Sequence, residues 1–475
     1  MKVIRNFIYN SVYQVLLLLL PIITAPYVSR VIGPKGVGTY SYTLSIVSYF
    51  VLFGTLGLTL YGNRQIAYEQ NDKVLRSQTF WEIFFLRTIC LLFSEIIFLF
   101  STPFGHSSLS IFFQIQSIGL ISSVLDISFY FMGMENFRVT AVRSIIFKIL
   151  SVCAIFIFVR NQSDTWIYIL ILNLSTLFSN ISLFPYLRNE ISLPVWRKLH
   201  IFRPLFPSLW LFIPTIATNI YLQLNKTMLG SLKGLVQAGL FQQSDYLIKV
   251  IIGIVTSLGA VMMPRIANLY AKKNSSEIIR LLRKSFSFIS FISLPATFGI
   301  MAVSHEFAPL FFGERFSEVG NIMFIESGII FLIGWSNIVG IQYLIPTNRM
   351  KAFTLSVVSG SVFNFFLNLL LIPKYGAVGA ATATLFSEFS VTFIQFCFVR
   401  RHLPIFSMLK ETWKYLISSF LMFILVSFVN LSFISNVFDL LVRIVLGCIV
   451  YLTLVYCLKA DVLIMLKDKI KKHRS

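Results

Sequence analysis

The sequence predicts an all-α integral membrane protein of about fourteen transmembrane helices, and three observations carry that expectation. Of 475 residues, 56% are hydrophobic and 12% charged, against roughly 45–50% and 25% in soluble proteins. Apolar runs of about 20 residues recur along the whole chain, and such a run crosses a hydrocarbon core about 30 Å thick because a helix rises 1.5 Å per residue. The runs are continuously apolar rather than alternating, which excludes a barrel and leaves helices as the way to pair every backbone group in lipid. A net charge of +21 could suggest nucleic acid, but no basic domain separates from the apolar runs, so no nucleic-acid partner is expected. The charge belongs to the loops of a membrane protein.

The first run, at about 7–32, has a basic start and no small-residue cleavage motif, so it reads as a retained spanning helix and not a signal peptide. Five more follow at about 37–60, 80–102, 107–131, 137–159 and 165–187. Past a charged stretch come runs at about 205–229, 239–264, 285–310, 319–345, 352–372 and 377–399, and a last pair at about 413–431 and 438–458. With the N-terminus in the cytoplasm, Lys and Arg crowd the inner segments and only Lys35, Arg160, Lys233, Arg315 and Lys374 fall in outer loops. Both termini are therefore expected on the cytoplasmic side. The outer connections are short, and no external domain is expected.

Between the first two runs stands "SRVIGPKGVGTYSY", Ser29 to Tyr42. A phosphate-binding loop needs G-x-x-x-x-G-K-[ST] between a strand and a helix, and neither the spacing nor a soluble domain is present. Pro and Gly there punctuate a tight helical hairpin. The elbow recurs: Pro34, Lys35, Gly36 and Gly38 are echoed by Pro373, Lys374, Gly376 and Gly379, and "LKGLVQAGLFQQ" repeats the apolar-x-G-x-aromatic element at Val236 to Phe241. All three follow odd-numbered, outward-running helices. Repeats of one orientation predict two halves related by an axis along the membrane normal, as in alternating-access transporters.

Cys90, Cys153, Cys397, Cys448 and Cys457 lie inside apolar runs without paired spacing, and His106, His200, His305, His402 and His473 are scattered. Neither a disulfide framework, a metal site nor a cofactor is expected. Ionisable residues inside the spans are the stronger signal, because each costs at least about 2.5–3.5 kcal/mol at the bilayer centre and such groups usually face a bundle interior or a wet cavity. Arg143 near the end of its span can snorkel, Lys414 sits at an edge, and Arg443 follows Asp439 by four residues and can pair with it. Lys249 is deep in its span with Asp245 four residues before it, Lys148 and Arg87 lie well inside theirs, and Arg30 and Lys226 occupy pseudo-equivalent outer thirds. Asp126, Asp245 and Glu388, with Glu95 and Glu326, are the intramembrane acids, and Asp126, Asp245 and Glu388 are candidates for ion coupling. Cations outnumber acids, which predicts an anionic, phosphate-bearing cargo, since Arg offers a planar fork and Lys a point charge to phosphate oxygens.

At these residues the chain resembles the Wzx-type flippases of lipid-linked polysaccharide units in the MOP exporter superfamily. The resemblance runs over nearly the whole length, on "PYVSRVIGPKGVGTYSY" (Pro26 to Tyr42), "LGLTLYGNRQIA" (Leu56 to Ala67), "NKTMLG" (Asn225 to Gly230), "SLGAVMMPRIANLYAK" (Ser257 to Lys272) and "PKYGAVGAA" (Pro373 to Ala381). It implies a six-helix lobe over 1–187, a cytoplasmic linker over 188–204, a second six-helix lobe over 205–400, and two additional helices with a basic cytoplasmic tail over 401–475. It implies transport of undecaprenyl-pyrophosphate-linked oligosaccharide from the inner to the outer leaflet of a bacterial plasma membrane, through a cationic cavity that carries a binding role to Arg30, Arg64, Lys226 and Lys249. Work beside a polysaccharide polymerase and chain-length machinery is implied as well. In one departure, similar proteins often show an acid where this chain has Asn225.

Three other readings stay open on the residues alone. A peptidoglycan-precursor flippase differs little at this level. A MATE-like cation or drug antiporter calls for an acid-lined cavity, against the cationic excess. A membrane-embedded polymerase or glycosyltransferase calls for extended outer loops or outer acids, of which there are few, mainly Asp164, Glu306, Glu314 and Glu318. The segment "ANLYAKKNSSEIIRLLRK" and the tail "KDKIKKHRS" read as an amphipathic helix on anionic lipid and a solvated basic end.

Overall fold

A computed structural model describes residues 2–101, 109–188, 190–429, 436–460 and 462; His106, His473 and the basic tail lie outside them. Every described element is helical: α1 (Lys2–Thr55), α2 (Leu58–Tyr68), α3 (Lys73–Ser101), α4 (Ser110–Val124), α5 (Ser128–Gly133), α6 (Phe137–Phe158), α7 (Thr165–Ile181), α8 (Phe184–Leu187), α9 (Leu205–Leu232), α10 (Leu235–Ala271), α11 (Ser275–Phe312), α12 (Val319–Glu326), α13 (Ile329–Asn337), α14 (Met350–Val399), α15 (Ile405–Met408), α16 (Thr412–Phe428) and α17 (Asn436–Cys457). A π-helical stretch, Ile338–Leu344, continues α13. Among the described residues ten helices are long and apolar enough to cross a membrane. Large apolar side chains such as Phe366, Leu370, Phe389 and Phe393 stand exposed along α14, as lipid-facing positions require and a water-facing surface would not tolerate in such numbers.

The helix count falls below fourteen partly because two expected pairs of spans are continuous helices broken at one glycine. Within α1 the break is at Gly33 (φ 69°, ψ −179°), and within α14 at Gly376 (φ 56°, ψ −130°). The third elbow, between α9 and α10, also turns on a glycine of positive φ, Gly234 at 92°. A side chain is disfavoured in that region, so glycine takes each turn. The backbone corrects the register read from the sequence, since Gly33 rather than Gly36 is the counterpart of Gly376. Pro34 then opens the second helical limb, where its missing N–H costs nothing, whereas Pro373 stands near the end of the first limb.

The chain divides into two compact units, Met1–Gly239 and Leu240–Ser475. The sequence places the lobe boundary at 188–204; the packing division falls later because α9 packs with α1 inside unit 1. There Gly38 and Gly239, each five residues beyond its elbow glycine, cross without room for a side chain. A Cβ on Gly38 would stand 1.7 Å from the Leu235 carbonyl oxygen, and one on Gly239 would stand 2.1 Å from that of Pro34. Hydroxyls fasten α1 to α9 as well: Thr227 Oγ1 lies 2.8 Å from Ser45 Oγ and 3.2 Å from Tyr49 OH, and Tyr42 OH lies 3.2 Å from Ser231 Oγ. Small residues that admit close backbones and polar side chains that bond across helices are the usual adhesives of membrane bundles.

The core of unit 1 gathers Leu58, Ile66, Phe80, Leu86, Phe129 and Tyr130 from α2, α3 and α5. Against it lies the stretch that follows α8. Trp81 Nε1 donates to the Ser192 carbonyl (2.9 Å), Gln78 to the Lys198 carbonyl (2.7 Å), and the His200 amide to Glu82 Oε1 (3.0 Å), while Arg76 pairs with Glu190 (3.4 Å). In unit 2, α16 and α17, the two additional helices, pack on α11. Tyr415 OH is 2.8 Å from Ser287 Oγ, and Tyr451 OH donates to the Phe291 carbonyl at 2.7 Å.

Candidate functional site

The deep charges of the sequence fall into two groups once the helices are placed. Arg87 on α3 is 3% exposed, and its guanidinium is held by Asp126, donating to the Asp126 carbonyl at 2.9 Å and lying 3.5 Å from Asp126 Oδ2. A buried arginine so committed clamps α3 to the turn before α5, where Asp126 Oδ1 also accepts from the Ser128 amide (2.9 Å). Two residues expected at separate points of a site are thus one ion pair. Arg443 is paired as its spacing predicts, 2.8 Å from Asp439, and gains Glu306 of α11 at 3.1 Å. Lys414 lies 2.6 Å from Glu411. Arg143 does not snorkel: it is buried and donates to Ser179 Oγ at 2.9 Å.

The second group is more accessible. Arg30 stands exposed on α1 three residues before the Gly33 break, and Arg64 is exposed on α2. Lys226 is half-buried on α9, next to the Thr227 that bonds Ser45 and beside buried Asn225. In unit 2, Lys249 Nζ lies 2.8 Å from the carboxylate of buried Asp245, one turn before it on α10, yet keeps 40% of its side chain exposed. A cation anchored at one end and open at the other still presents donors, because an ammonium has three. Lys148 is half-buried on α6 without an acid partner among the described residues. Glu388 is buried on α14, and no group of acids, histidines and cysteines able to hold a metal occurs among the described residues.

Unit 1 also holds a feature that charge-based reading passes over, a half-open cavity of about 430 Å³ between α1, α2, α4, α7 and α9. Its polar lining is neutral and comes from Thr55, Gln116, Asn173, Thr176, Asn219 and Gln223. Val47, Val51 and Phe212 supply apolar wall, and Phe212 packs edge-on against Phe53 at 6.0 Å. Gln116 is wholly buried and bridges two helices, donating to Thr43 Oγ1 (3.2 Å) and accepting from Asn173 Nδ2 (3.1 Å). The signal was present in the sequence as amide and hydroxyl residues in spans two, four, six and seven, but such residues are common glue between membrane helices and carry no periodicity of their own.

The family described as "Polysaccharide biosynthesis protein" matches residues 3–270. A putative O-antigen transporter of Escherichia coli K12 is 25% identical over 404 residues, covering 84% of this chain and 97% of that protein. The capsular polysaccharide biosynthesis protein CapF of Staphylococcus aureus is 24% identical over 408 residues, covering 84% and 99%. Among solved structures, the lipid II flippase MurJ in an inward closed conformation superposes with a TM-score of 0.78 at 15% identity, covering 97% of this chain and all of that one. An inward-facing multidrug MATE transporter of the MOP superfamily superposes with a TM-score of 0.60 at 12% identity, covering 85% and 96%. At those identities the structures establish a shared fold, and the proteins sharing it are transporters and flippases.

Proposed function

The chain belongs to the polysaccharide biosynthesis protein family, and from that premise we propose that it is a flippase. It moves undecaprenyl-pyrophosphate-linked oligosaccharide units from the inner to the outer leaflet of a bacterial plasma membrane for capsule, exopolysaccharide or O-antigen synthesis. It is a multi-pass transporter and not an enzyme, with both termini cytoplasmic. The observation that carries the reading is the family match over residues 3–270, a stretch that contains all four cations assigned to the cargo: Arg30, Arg64, Lys226 and Lys249. The names of the sequence relatives, O-antigen transporter and capsular polysaccharide protein, favour polysaccharide units over the peptidoglycan precursor.

A pyrophosphate cannot cross apolar lipid unaided, because the charge would lose its hydration, and a wet path lined by cations replaces that hydration. Arg30, Arg64, Lys226 and Lys249 are the cations proposed for this role, with Lys249 held in place by Asp245 through their 2.8 Å contact. Arg87 and Lys148 belong to the wider cationic set, Arg87 through its clamp on Asp126. Alternating access exposes the path to one leaflet and then the other. In this reading 1–187 and 205–400 are the repeats that move, 188–204 links them, and 401–475 is an appendage. A membrane potential negative inside favours outward movement of the anion by about 2.3 kcal/mol per charge per 100 mV. Asp245, Asp126 and Glu388 are the candidates for ion coupling, Asp245 and Asp126 through the pairs they form with Lys249 and Arg87.

The test is leaflet translocation of a lipid-linked oligosaccharide by purified protein in vesicles, with Arg30→Ala and Lys249→Ala variants verified for insertion and folding. Each variant is expected to slow translocation at least about tenfold, the loss of one charge-assisted contact of about 1.5–3 kcal/mol. Wild-type rates in both variants would remove the cationic path.

A further inference from the structure

We propose that the neutral cavity inside unit 1 is a subsite for an uncharged, hydroxyl-rich ligand, the sugar portion of the cargo as distinct from its phosphates. The assignment rests on the flippase reading above and adds a second recognition element to it. The chemistry of the lining excludes an anion first. No charged side chain lines the cavity among its described residues, and Arg87, which donates to the lining Thr59 Oγ1 at 3.4 Å, is already held by Asp126.

What the cavity offers instead is a surplus of acceptors. The hydroxyls of Thr55, Thr176 and Thr215 each donate to a carbonyl of their own helix, at 3.1, 3.0 and 3.0 Å. Their lone pairs remain for a ligand, since a hydroxyl has one hydrogen and two acceptor sites. The amides add to this. Asn173 commits both N–H groups, to Gln116 and the Ile169 carbonyl (3.1 and 2.9 Å), and keeps its oxygen; Asn219 commits one N–H to the Thr215 carbonyl (3.0 Å) and keeps its oxygen and a second N–H. A ligand that satisfies these groups must bring many donors and some acceptors without charge, which describes the hydroxyls of a saccharide. Phe212 and Val51 give its C–H faces an apolar surface. About 430 Å³ is within the range of small-molecule sites and far above the ~30 Å³ share of one water.

The position matters as much as the chemistry. Asn219 and Gln223 lie on α9 one turn apart, and Gln223 is one turn before Thr227, whose hydroxyl hydrogen-bonds Ser45 and whose neighbour is Lys226. The sugar subsite and one of the proposed phosphate cations therefore share a single helix, and occupancy of one fixes the helix that presents the other.

The experiment uses full-length protein in lipid nanodiscs and a diazirine derivative of glucose as photolabel, with peptide mapping. Label is expected on the α9 peptide around Asn219 and Gln223, competed by free disaccharide and not by inorganic phosphate. The double variant Asn219→Leu/Gln223→Leu, and separately Thr176→Val, are checked for folding by size-exclusion chromatography and thermal unfolding. The double variant is expected to lose labelling and translocation of lipid-linked oligosaccharide by about fivefold or more. Wild-type labelling or wild-type translocation in the folded double variant, or competition by phosphate as effective as by sugar, overturns the subsite alone. A wild-type protein that translocates no lipid-linked sugar overturns the flippase reading, and the assignment of this cavity to the cargo falls with it.

Discussion

Replacing Gly38 by alanine tests the crossing on which unit 1 is built. The new Cβ would lie 1.7 Å from the Leu235 carbonyl oxygen and 2.6 Å from the Leu235 carbonyl carbon, both backbone atoms that no rotamer change can move aside. Ordinary contact begins at 3.4 Å, so the start of α10 must part from α1 by up to about 1.7 Å, the difference between the two distances. A gap of 0.5–1 Å already forfeits a quarter to a half of a dispersion contact, and overpacking in a rigid core costs about 1–3 kcal/mol. Gly38→Ala is therefore expected at or above the top of that range, and Gly239→Ala close behind it, its Cβ falling 2.1 Å from the Pro34 carbonyl oxygen. Gly299→Ala is the control, because its Cβ would meet only the flexible Met422 Cε at 3.7 Å. Thermal unfolding of detergent-purified protein should show a clear drop for the first two variants and none for the third. If Gly38→Ala melts with Gly299→Ala, the close crossing is refuted.

Other substitutions probe the remaining contacts. Arg87→Met leaves Asp126 without its partner and should destabilise unit 1 by about 3 kcal/mol, the low end for a broken buried pair because Asp126 is 27% exposed; denaturant unfolding in detergent reads it, and an unchanged midpoint would mean the pair does not clamp α3. Thr227→Val removes the hydroxyl shared by Ser45 and Tyr49 and should cost about 0.6–1.7 kcal/mol, the measured range for such bonds in membranes, in the same assay. Tyr415→Phe and Tyr451→Phe each remove one hydrogen bond tying the last two helices to α11. Each should lower stability by about 1 kcal/mol, and hydrogen exchange along α16 or α17 should rise if those helices loosen separately.

The fold was legible because lipid forces it: length and continuity of apolar runs dictate helices, and the three glycine elbows mark where they turn. Register was less legible, since Pro34 and Pro373 look equivalent in sequence but serve opposite sides of their breaks. Among the charges, i,i+4 spacing found the Lys249–Asp245 and Arg443–Asp439 pairs, which share one helix face. It had no means of finding Arg87 with Asp126 or Arg443 with Glu306, whose partners come from another turn and another helix. Nor could it foresee the neutral cavity, whose lining is distributed over five helices and distinguished only by which polar groups are already spent.

The stretch between α8 and α9 has a consequence for movement. Trp81, Gln78 and Glu82 grip it at Ser192, Lys198 and His200, on one side of α3. It is short of slack, so a tilt of α3 would be transmitted to the foot of α9 as through a taut cord. Loosening the cord, for instance by Trp81→Leu, would let the two helices tilt independently.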